Sequence, residues 1–114
     1  MLSTGLRKRI LKFRFDRDWE QFHSPRTLAI ALSVEAAELL EYFQWITDAD
    51  VDRQVVAHRD EIGQEVADLA ILLTYLAHDL GLNLEKIVRS KLKQNERKYP
   101  IEIAKGSAQK YSRL

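Results

Sequence analysis

The chain has 114 residues, 46% of them hydrophobic, which matches one folded domain with a substantial core. Its 18 basic and 17 acidic residues leave a net charge of +1, so bulk electrostatic binding to polymeric nucleic acid is not expected. The lack of cysteine excludes disulfide bonds and thiolate chemistry.

The low number of turn-forming residues, four Gly and two Pro, favours a few long helices. We therefore predict an all-α fold with four helices in a single domain, residues 1–114. The first helix is predicted from about Ser3 to Asp16, where apolar residues recur at helical spacing. The second begins with Ser24 as N-cap and Pro25 at its first position, and continues to about Trp45.

The third helix is predicted from about Asp52 to Leu80 and ends at Gly81, a residue typical of helix C-termini. The fourth runs from Leu84 to Tyr99, where Pro100 ends it. Residues 101–114 form a basic tail whose structure the sequence does not predict.

The third helix also predicts association between copies of the chain. Its segment Leu69–Ala77 contains only Thr74 as a clearly polar residue, so it is apolar on every side. One protomer of this size covers one side, and we expect a homo-oligomer, a dimer or tetramer, to complete the four-helix bundle. Alternatively, the first helix and the tail cover the remaining side.

The chain is expected to be a cytoplasmic protein with no membrane partner. Residues Met1–Lys12 alternate basic and apolar side chains and lack the apolar core of a signal peptide. The apolar run Leu69–Ala77 is too short to span a bilayer.

Two acidic pairs lie where the sequence places the core. Glu35 and Glu38 are three residues apart on the second helix, and Glu65 and Asp68 on the third, so each pair shares a helix face. Both glutamates that begin these pairs project among apolar side chains, which are Leu28, Leu32, Leu39 and Tyr42 around the first and Ile62, Leu69, Leu72 and Leu76 around the second.

Unpaired buried carboxylates are costly and repel one another, so the cluster needs protons, basic side chains or metal ions. Oxygen ligands favour Mg²⁺, with Mn²⁺ as an alternative. His23, His58 and His78 lie outside the pairs, so a di-iron Glu-x-x-His site is not indicated. The alternative is a solvated charged face held by salt bridges.

The fourth helix carries Lys91, Asn95 and Lys98 within its apolar stripe, on the face that would meet the acidic cluster. Two lysines and an amide opposite a metal site suit a polyphosphate, although ion pairs with the acidic helices explain them equally well. Around the second helix, Trp19 and Trp45 could stack on a nucleobase and His23 could hydrogen-bond it. Ordinary core or interface packing is the alternative for these three.

The order of these motifs resembles the MazG-like family of all-α nucleotide pyrophosphatases. E-x-x-E (residues 35–38) is followed by E-x-x-D (residues 65–68) and then by K-x-x-x-N-x-x-K-Y-P (residues 91–100). The segment RDWEQFHSPR (residues 17–26), FQW (residues 43–45) and GSAQKY (residues 106–111) are similar to the dCTP pyrophosphatase branch. The resemblance covers about residues 7–112.

The resemblance implies obligate oligomers and Mg²⁺-dependent hydrolysis of a nucleoside triphosphate, dCTP-like or modified, to the monophosphate and pyrophosphate, a house-cleaning activity on nucleotide pools. It implies that Glu35, Glu38, Glu65 and Asp68 are metal ligands. We expect the same four residues to be the catalytic groups, and our hypothesis for the mechanism is that Glu38 orients or deprotonates the attacking water. The resemblance assigns substrate contacts to Lys91, Asn95, His23, Trp45 and Trp19, and the position of Lys98 on the same face of the fourth helix adds it to the expected contacts.

The branch often has a tyrosine four residues after the last acidic ligand, where this chain has Leu72, so the base and sugar preference stays open. Two other functions also remain open: a noncatalytic helical interaction module, and a pyrophosphohydrolase acting on phosphoribosyl-ATP.

Overall fold

The computed structural model describes residues 2–114, and over this range the chain forms helices and short 3-10 turns without a β-strand. The predicted all-α class is confirmed. Met1, the first residue of the predicted domain, lies outside the described range. The chain divides into two compact units, residues 2–81 and residues 82–114, which are described separately. No helix among the described residues is long and apolar enough to cross a bilayer.

The first helix, α1, spans Thr4–Asp16 and begins where Ser3 caps it, as the Oγ of Ser3 accepts from the amide of Leu6 at 3.1 Å. The helix is one residue shorter than predicted because Ser3 is the cap itself. Beyond it Asp18, with φ of +54°, turns the chain, and a 3-10 turn at Glu20–Phe22 follows.

The second helix, α2, spans Pro25–Glu41. A capping box fixes its start: the Ser24 Oγ accepts from the Thr27 amide at 3.1 Å, and the Thr27 Oγ1 accepts from the Ser24 amide at 2.7 Å. Proline at the first position adds to this signal because its missing N–H would have no partner in the first turn.

The predicted end of α2 at Trp45 is wrong by four residues. The amides of Phe43 and Gln44 both donate to the carbonyl of Leu40, each at 2.9 Å. This tightened turn satisfies the carbonyl of Leu40, and the chain leaves the helix after Glu41.

The third helix, α3, spans Val51–Asp79, within one residue of the prediction at each end. Gly81, with φ of +66°, ends it in the left-handed conformation that glycine adopts without strain. Inside the helix His58 departs from helical geometry, with φ of −125° and ψ of 25°, so α3 is kinked there.

Helices α2 and α3 pack antiparallel. His23, just before α2, lies against Tyr75 near the end of α3, and Tyr42 at the end of α2 lies against His58 near its start, with ring centroids 5.5 Å apart in both pairs. Leu28 and Tyr75 are among the buried core residues of this unit. The contact joins residues far apart in sequence and fixes which side chains of α2 and α3 can meet.

Only part of the apolar segment Leu69–Ala77 is buried. Thr74, Tyr75 and Ala77 are buried, whereas Leu73 is 40% exposed. A side of α3 therefore remains accessible, and its burial against another copy of the chain stays a prediction.

In residues 82–114, helix α4 spans Leu84–Lys98, and the side chain of Asn83 caps it by accepting from the Lys86 amide at 3.0 Å. The predicted fourth helix is thus confirmed to within one residue. The tail forms a short helix α5, Ile101–Ala104, and a 3-10 turn at Tyr111–Arg113.

Candidate functional site

Antiparallel packing of α2 on α3 brings three carboxylates together. Glu35 and Glu38 lie one turn apart on α2, and Glu65 lies on α3. One carboxylate oxygen from each residue can be chosen so that all three oxygens lie within 4.8 Å of one another. All three residues are half-buried. The predicted convergence of acidic side chains from two helices is therefore present for these three residues.

Two oxygens in this cluster have no hydrogen-bond partner. The Oε2 atoms of Glu35 and Glu65 are buried and unpaired, because two ionised carboxylates can only accept hydrogen bonds. A buried unpaired polar atom is costly, and a buried charge more so. The arrangement therefore favours a proton or a cation between the two side chains.

A proton is favoured on this cluster because the surroundings raise the pKa of both glutamates of α2. The pKa of Glu35 lies above its usual value first because its protonated carboxyl can donate to Glu65, and then because burial and the charges of Asp68 and Glu65 disfavour ionisation. The pKa of Glu38 is raised by hydrogen bonding to Glu35 and then by the charge of Glu35.

Because of these pKa shifts, the contribution of the cluster to folding stability depends on pH. A carboxyl whose pKa is raised in the folded protein contributes stability that is fully present below its ordinary value of 4.5 and is lost as the pH rises through the folded pKa. At neutral pH the cation-free cluster therefore opposes folding, and a bound cation would remove that cost.

The cluster fits a divalent cation by the chemistry of its donors. Three carboxylates supply only hard oxygen atoms, which Mg²⁺ and Mn²⁺ prefer, and the two unpaired oxygens are available as ligands. Glu35, Glu38 and Glu65 are thus the residues that could hold such an ion.

Asp68, the fourth predicted ligand, is exposed and lies outside the group of three among the described residues. Asp68 follows Glu65 by three residues, the same spacing that separates Glu38 from Glu35, so the spacing alone does not explain why only Glu38 joins the group. The charge of Asp68 still reaches the cluster, because it helps to raise the pKa of Glu35. The role of Asp68 as a ligand stays a prediction.

Tyr42 borders the cluster from the end of α2. Its pKa is raised by burial and then by the charges of surrounding acids, with Glu61 and Glu65 the largest contributors. The Oε2 of Glu61 lies 2.8 Å from the Nδ1 of His58, at the kink of α3. Acidic side chains therefore continue along α3 from Glu65 to Glu61, which lies beside His58. Glu61 precedes the E-x-x-D motif that the sequence indicates.

A second polar group lies at the other end of the α2–α3 contact. Arg14 of α1, only 2% exposed, donates to both carboxylate oxygens of Asp79, at 2.7 and 2.8 Å. Its guanidinium carbon lies 4.6 Å from the ring centroid of Tyr75. His23, predicted to contact substrate, lies beside this pair with its Nδ1 3.4 Å from an Arg14 nitrogen.

Sequence reasoning missed Arg14, Asp79 and Tyr75. One signal was present: Arg14 follows Ile10 by four residues and Leu11 by three, so it is a basic residue on the apolar stripe of α1. Asp79 carries no comparable sign, since it lies 65 residues away at the end of α3.

The other predicted substrate residues are accessible. Trp45 is 86% exposed, and Trp19 packs the edge of its ring against Phe13 with centroids 5.6 Å apart. In residues 82–114, Lys91, Asn95 and Lys98 are all exposed, and the Nζ of Lys98 lies 4.9 Å from the ring centroid of Tyr111. Their roles toward a substrate stay predictions.

Comparison with known proteins identifies relatives over nearly the whole chain. Residues 30–114 match the model of the MazG-like family. The chain is 40% identical over 111 residues to dCTP pyrophosphatase 1 of Homo sapiens and of Rattus norvegicus, a match that covers 96% of this chain and 65% of each relative. The chain thus spans 65% of the length of these curated relatives.

A solved structure is also similar. A pyrophosphatase from Archaeoglobus fulgidus superposes with a TM-score of 0.81 at 36% sequence identity, over 84% of this chain and 90% of that chain. The fold of this chain is therefore similar to that of a pyrophosphatase.

Proposed function

Because this chain belongs to the MazG-like family, we propose that it hydrolyses (deoxy)nucleoside triphosphates to nucleoside monophosphate and pyrophosphate with a divalent cation. The observation that carries the proposal is the convergence of Glu35, Glu38 and Glu65 with two buried carboxylate oxygens that lack partners. An ordinary helix contact would place apolar side chains there.

In this proposal Glu35, Glu38 and Glu65 hold Mg²⁺ or Mn²⁺, and Asp68 joins them as a fourth ligand. When bound, the cation neutralises the triphosphate and lowers the pKa of a water molecule. Glu38 orients the attacking water and accepts its proton through the carboxylate oxygen that it does not offer to the cation, because it lies one turn from Glu35 in the same cluster. Attack on a phosphorus then releases pyrophosphate.

Lys91, Asn95 and Lys98 of α4 are proposed to contact the phosphates and the sugar. The ammonium groups of the lysines would balance negative charge on the triphosphate and on the departing pyrophosphate. The amide of the asparagine would donate a hydrogen bond. Their exposure leaves these donors accessible to a ligand.

The proposed substrate is a dCTP-like or modified deoxynucleotide, and the biological role is removal of such nucleotides from the pool. Support comes from the names of the relatives, dCTP pyrophosphatase 1, which match 96% of this chain. Trp19, His23 and Trp45 are proposed to contact the nucleoside, with the aromatic faces stacking on the base.

A homo-oligomer is part of the proposal. Trp45 and Val56 are 86% and 80% exposed, and one side of α3 is accessible at Leu73. Large apolar side chains in this number are typical of a surface that packs against a partner. A dimer or tetramer would bury them.

The experiment is a panel of canonical and modified (deoxy)nucleoside triphosphates with Mg²⁺, with pyrophosphate release as the readout. We expect turnover by the natural chain and a loss of at least about a hundredfold in Glu65→Gln, in line with the removal of a group that stabilises developing charge. Asp60→Asn, an exposed acid on the same helix, is the matched control and keeps full activity.

Pyrophosphate release from phosphoribosyl-ATP alone would instead assign the chain to that substrate. Absence of release from every compound, with the chain folded, would contradict the proposed activity and favour a noncatalytic interaction module.

A further inference from the structure

The polar group formed by Arg14, Asp79, Tyr75 and His23 is not explained by metal binding or by hydrolysis. Arg14 is among the most buried side chains of the described residues, although it is charged. It joins α1 to the end of α3 through both oxygens of Asp79. A bidentate arginine–carboxylate pair is a rigid arrangement, since the planar guanidinium fork matches the carboxylate.

The contact of Arg14 with His23 bears on which nitrogen of the imidazole carries a proton. An arginine nitrogen lies 3.4 Å from Nδ1 of His23. Arginine can only donate, because its guanidinium has no acceptor and stays charged. The Nδ1 atom must therefore accept, and the ring proton of a neutral imidazole is placed on Nε2.

We propose that Arg14 is a positioning residue that holds His23 in the Nε2–H tautomer, so that this N–H donates to a neutral acceptor on the nucleoside, such as a base carbonyl or ring nitrogen. Asp79 fixes the guanidinium from one side, and the ring of Tyr75 supports both Arg14 and His23, at centroid distances of 4.6 and 5.5 Å. This inference rests on the proposed nucleotide substrate.

The surroundings favour the neutral ring. The pKa of His23 is lowered first by burial and then by the positive charge of Arg14, while the charge of Asp79 opposes the shift. A neutral imidazole is a poor partner for phosphate, for which an imidazolium would supply charge. It is a suitable donor to an uncharged acceptor.

The position of His23 agrees with a contact at the nucleoside end. Glu35 lies ten residues after Pro25, the first residue of α2, which is about 15 Å along the helix axis. His23 precedes Pro25, so it lies at the opposite end of the α2–α3 contact from the carboxylates that would hold the phosphates through a cation.

The first test reads the tautomer without any activity. The protein labelled with ¹⁵N gives imidazole nitrogen resonances for three histidines, and His23→Gln identifies those of His23. At pH 7 we expect an acceptor-type Nδ1 and a protonated Nε2 in the natural chain. In Arg14→Lys, which lacks the planar fork, the two resonances are expected to move toward tautomer averaging.

Resonances of an imidazolium or of the Nδ1–H tautomer in the natural chain would overturn the proposal. So would resonances that are unchanged in folded Arg14→Lys. Arg17→Lys is the matched control, since Arg17 is an exposed arginine at the end of the same helix that bonds to the carbonyl of Phe13. It is expected to leave the His23 resonances unaltered.

The second test uses the geometry of amide side chains. In His23→Gln the amide nitrogen of the new side chain can occupy the place of Nε2 and donate, whereas in His23→Asn the shorter side chain reaches only the place of Nδ1. We expect His23→Asn to raise KM about tenfold, the effect of one lost hydrogen bond, and His23→Gln to raise it only about threefold, because its amide restores the donor but not the ring.

Equal KM values for the two variants, or a loss in kcat rather than KM, would contradict the assigned donor. If Arg14→Lys does not fold, the ring resonances of the natural chain and the His23 pair still decide the question. If the natural chain hydrolyses no nucleotide, the proposed function fails, while the tautomer measurement still judges the role of Arg14.

Discussion

The ion pair between buried Arg14 and partly exposed Asp79 leads to a specific prediction about stability. In Asp79→Asn the amide keeps the shape of the carboxylate but offers Arg14 one acceptor oxygen and no negative charge. Arg14 is 2% exposed, so its charge cannot turn to water for compensation, and the side chain of Asp79 is itself only 23% exposed. Removal of one partner of a buried pair typically costs about 3–5 kcal/mol. Because Asp79 retains some solvent contact, we expect about 3 kcal/mol.

The loss should also depend on pH in a defined direction. The pKa of Asp79 lies below its ordinary value of 3.8, chiefly because Arg14 donates hydrogen bonds to it. Such a group contributes stability that is present above pH 3.8 and is lost as the pH falls through the folded pKa. The difference between natural chain and Asp79→Asn should therefore be largest near pH 7 and shrink below pH 3.8.

The assay is urea unfolding followed by circular dichroism, at one protein concentration because association between copies would shift the midpoint. Asp16→Asn is the control: Asp16 pairs with Lys12 on the surface of α1, where the partners are 44% and 72% exposed. Surface pairs contribute about 1 kcal/mol or less. A cost below about 1 kcal/mol for Asp79→Asn, or an equal cost at pH 7 and pH 3, would refute the reasoning.

Two further predictions concern the acidic cluster and the end of α3. In cation-free buffer at pH 7, Glu35→Gln should be more stable than the natural chain, because its amide can donate to the unpaired Oε2 of Glu65 and one repelling charge is removed. Urea midpoints at pH 5 and pH 7 check this, and a midpoint at pH 7 below that of the natural chain would contradict it. Gly81→Ala should cost about 1–2 kcal/mol, because a residue with a Cβ is strained at φ of +66°. No atom crowds the new Cβ, so the cost comes from the backbone conformation. Gly5→Ala, with equally open space inside α1, should not destabilise, and equal midpoints for the two variants would show that backbone conformation at Gly81 is unimportant.

Local sequence signals predicted the helices nearly to the residue. Ser3, Ser24 and Asn83 act as caps through atoms only three residues away, and Gly81 ends α3 through its own backbone, so the chain next to each site contains the required information. The predicted end of α2 was wrong because no glycine or proline marks the end in the sequence. The helix ends instead where two amides donate to the carbonyl of Leu40.

The acidic cluster was predictable because helical spacing and apolar surroundings place Glu35 and Glu65 inward before any tertiary contact is known. Asp68 stands at the same spacing as Glu38 but is exposed and lies outside the group, so helical spacing alone did not predict which of the two residues joins the cluster. The pairing of Arg14 with Asp79 was not predictable, since only the completed packing of α1 on α3 brings residues 65 positions apart together.

The central claim is that Glu35, Glu38 and Glu65 form a divalent cation site, and calorimetric titration with Mn²⁺ and with Mg²⁺ tests it most directly. The natural chain is expected to bind either ion with release of protons below pH 7, since the pKa values of Glu35 and Glu38 are raised, and Glu65→Gln should bind at least about tenfold more weakly. Equal binding by Glu65→Gln and by Asp60→Asn, or no binding by the natural chain at millimolar concentrations, would contradict the account.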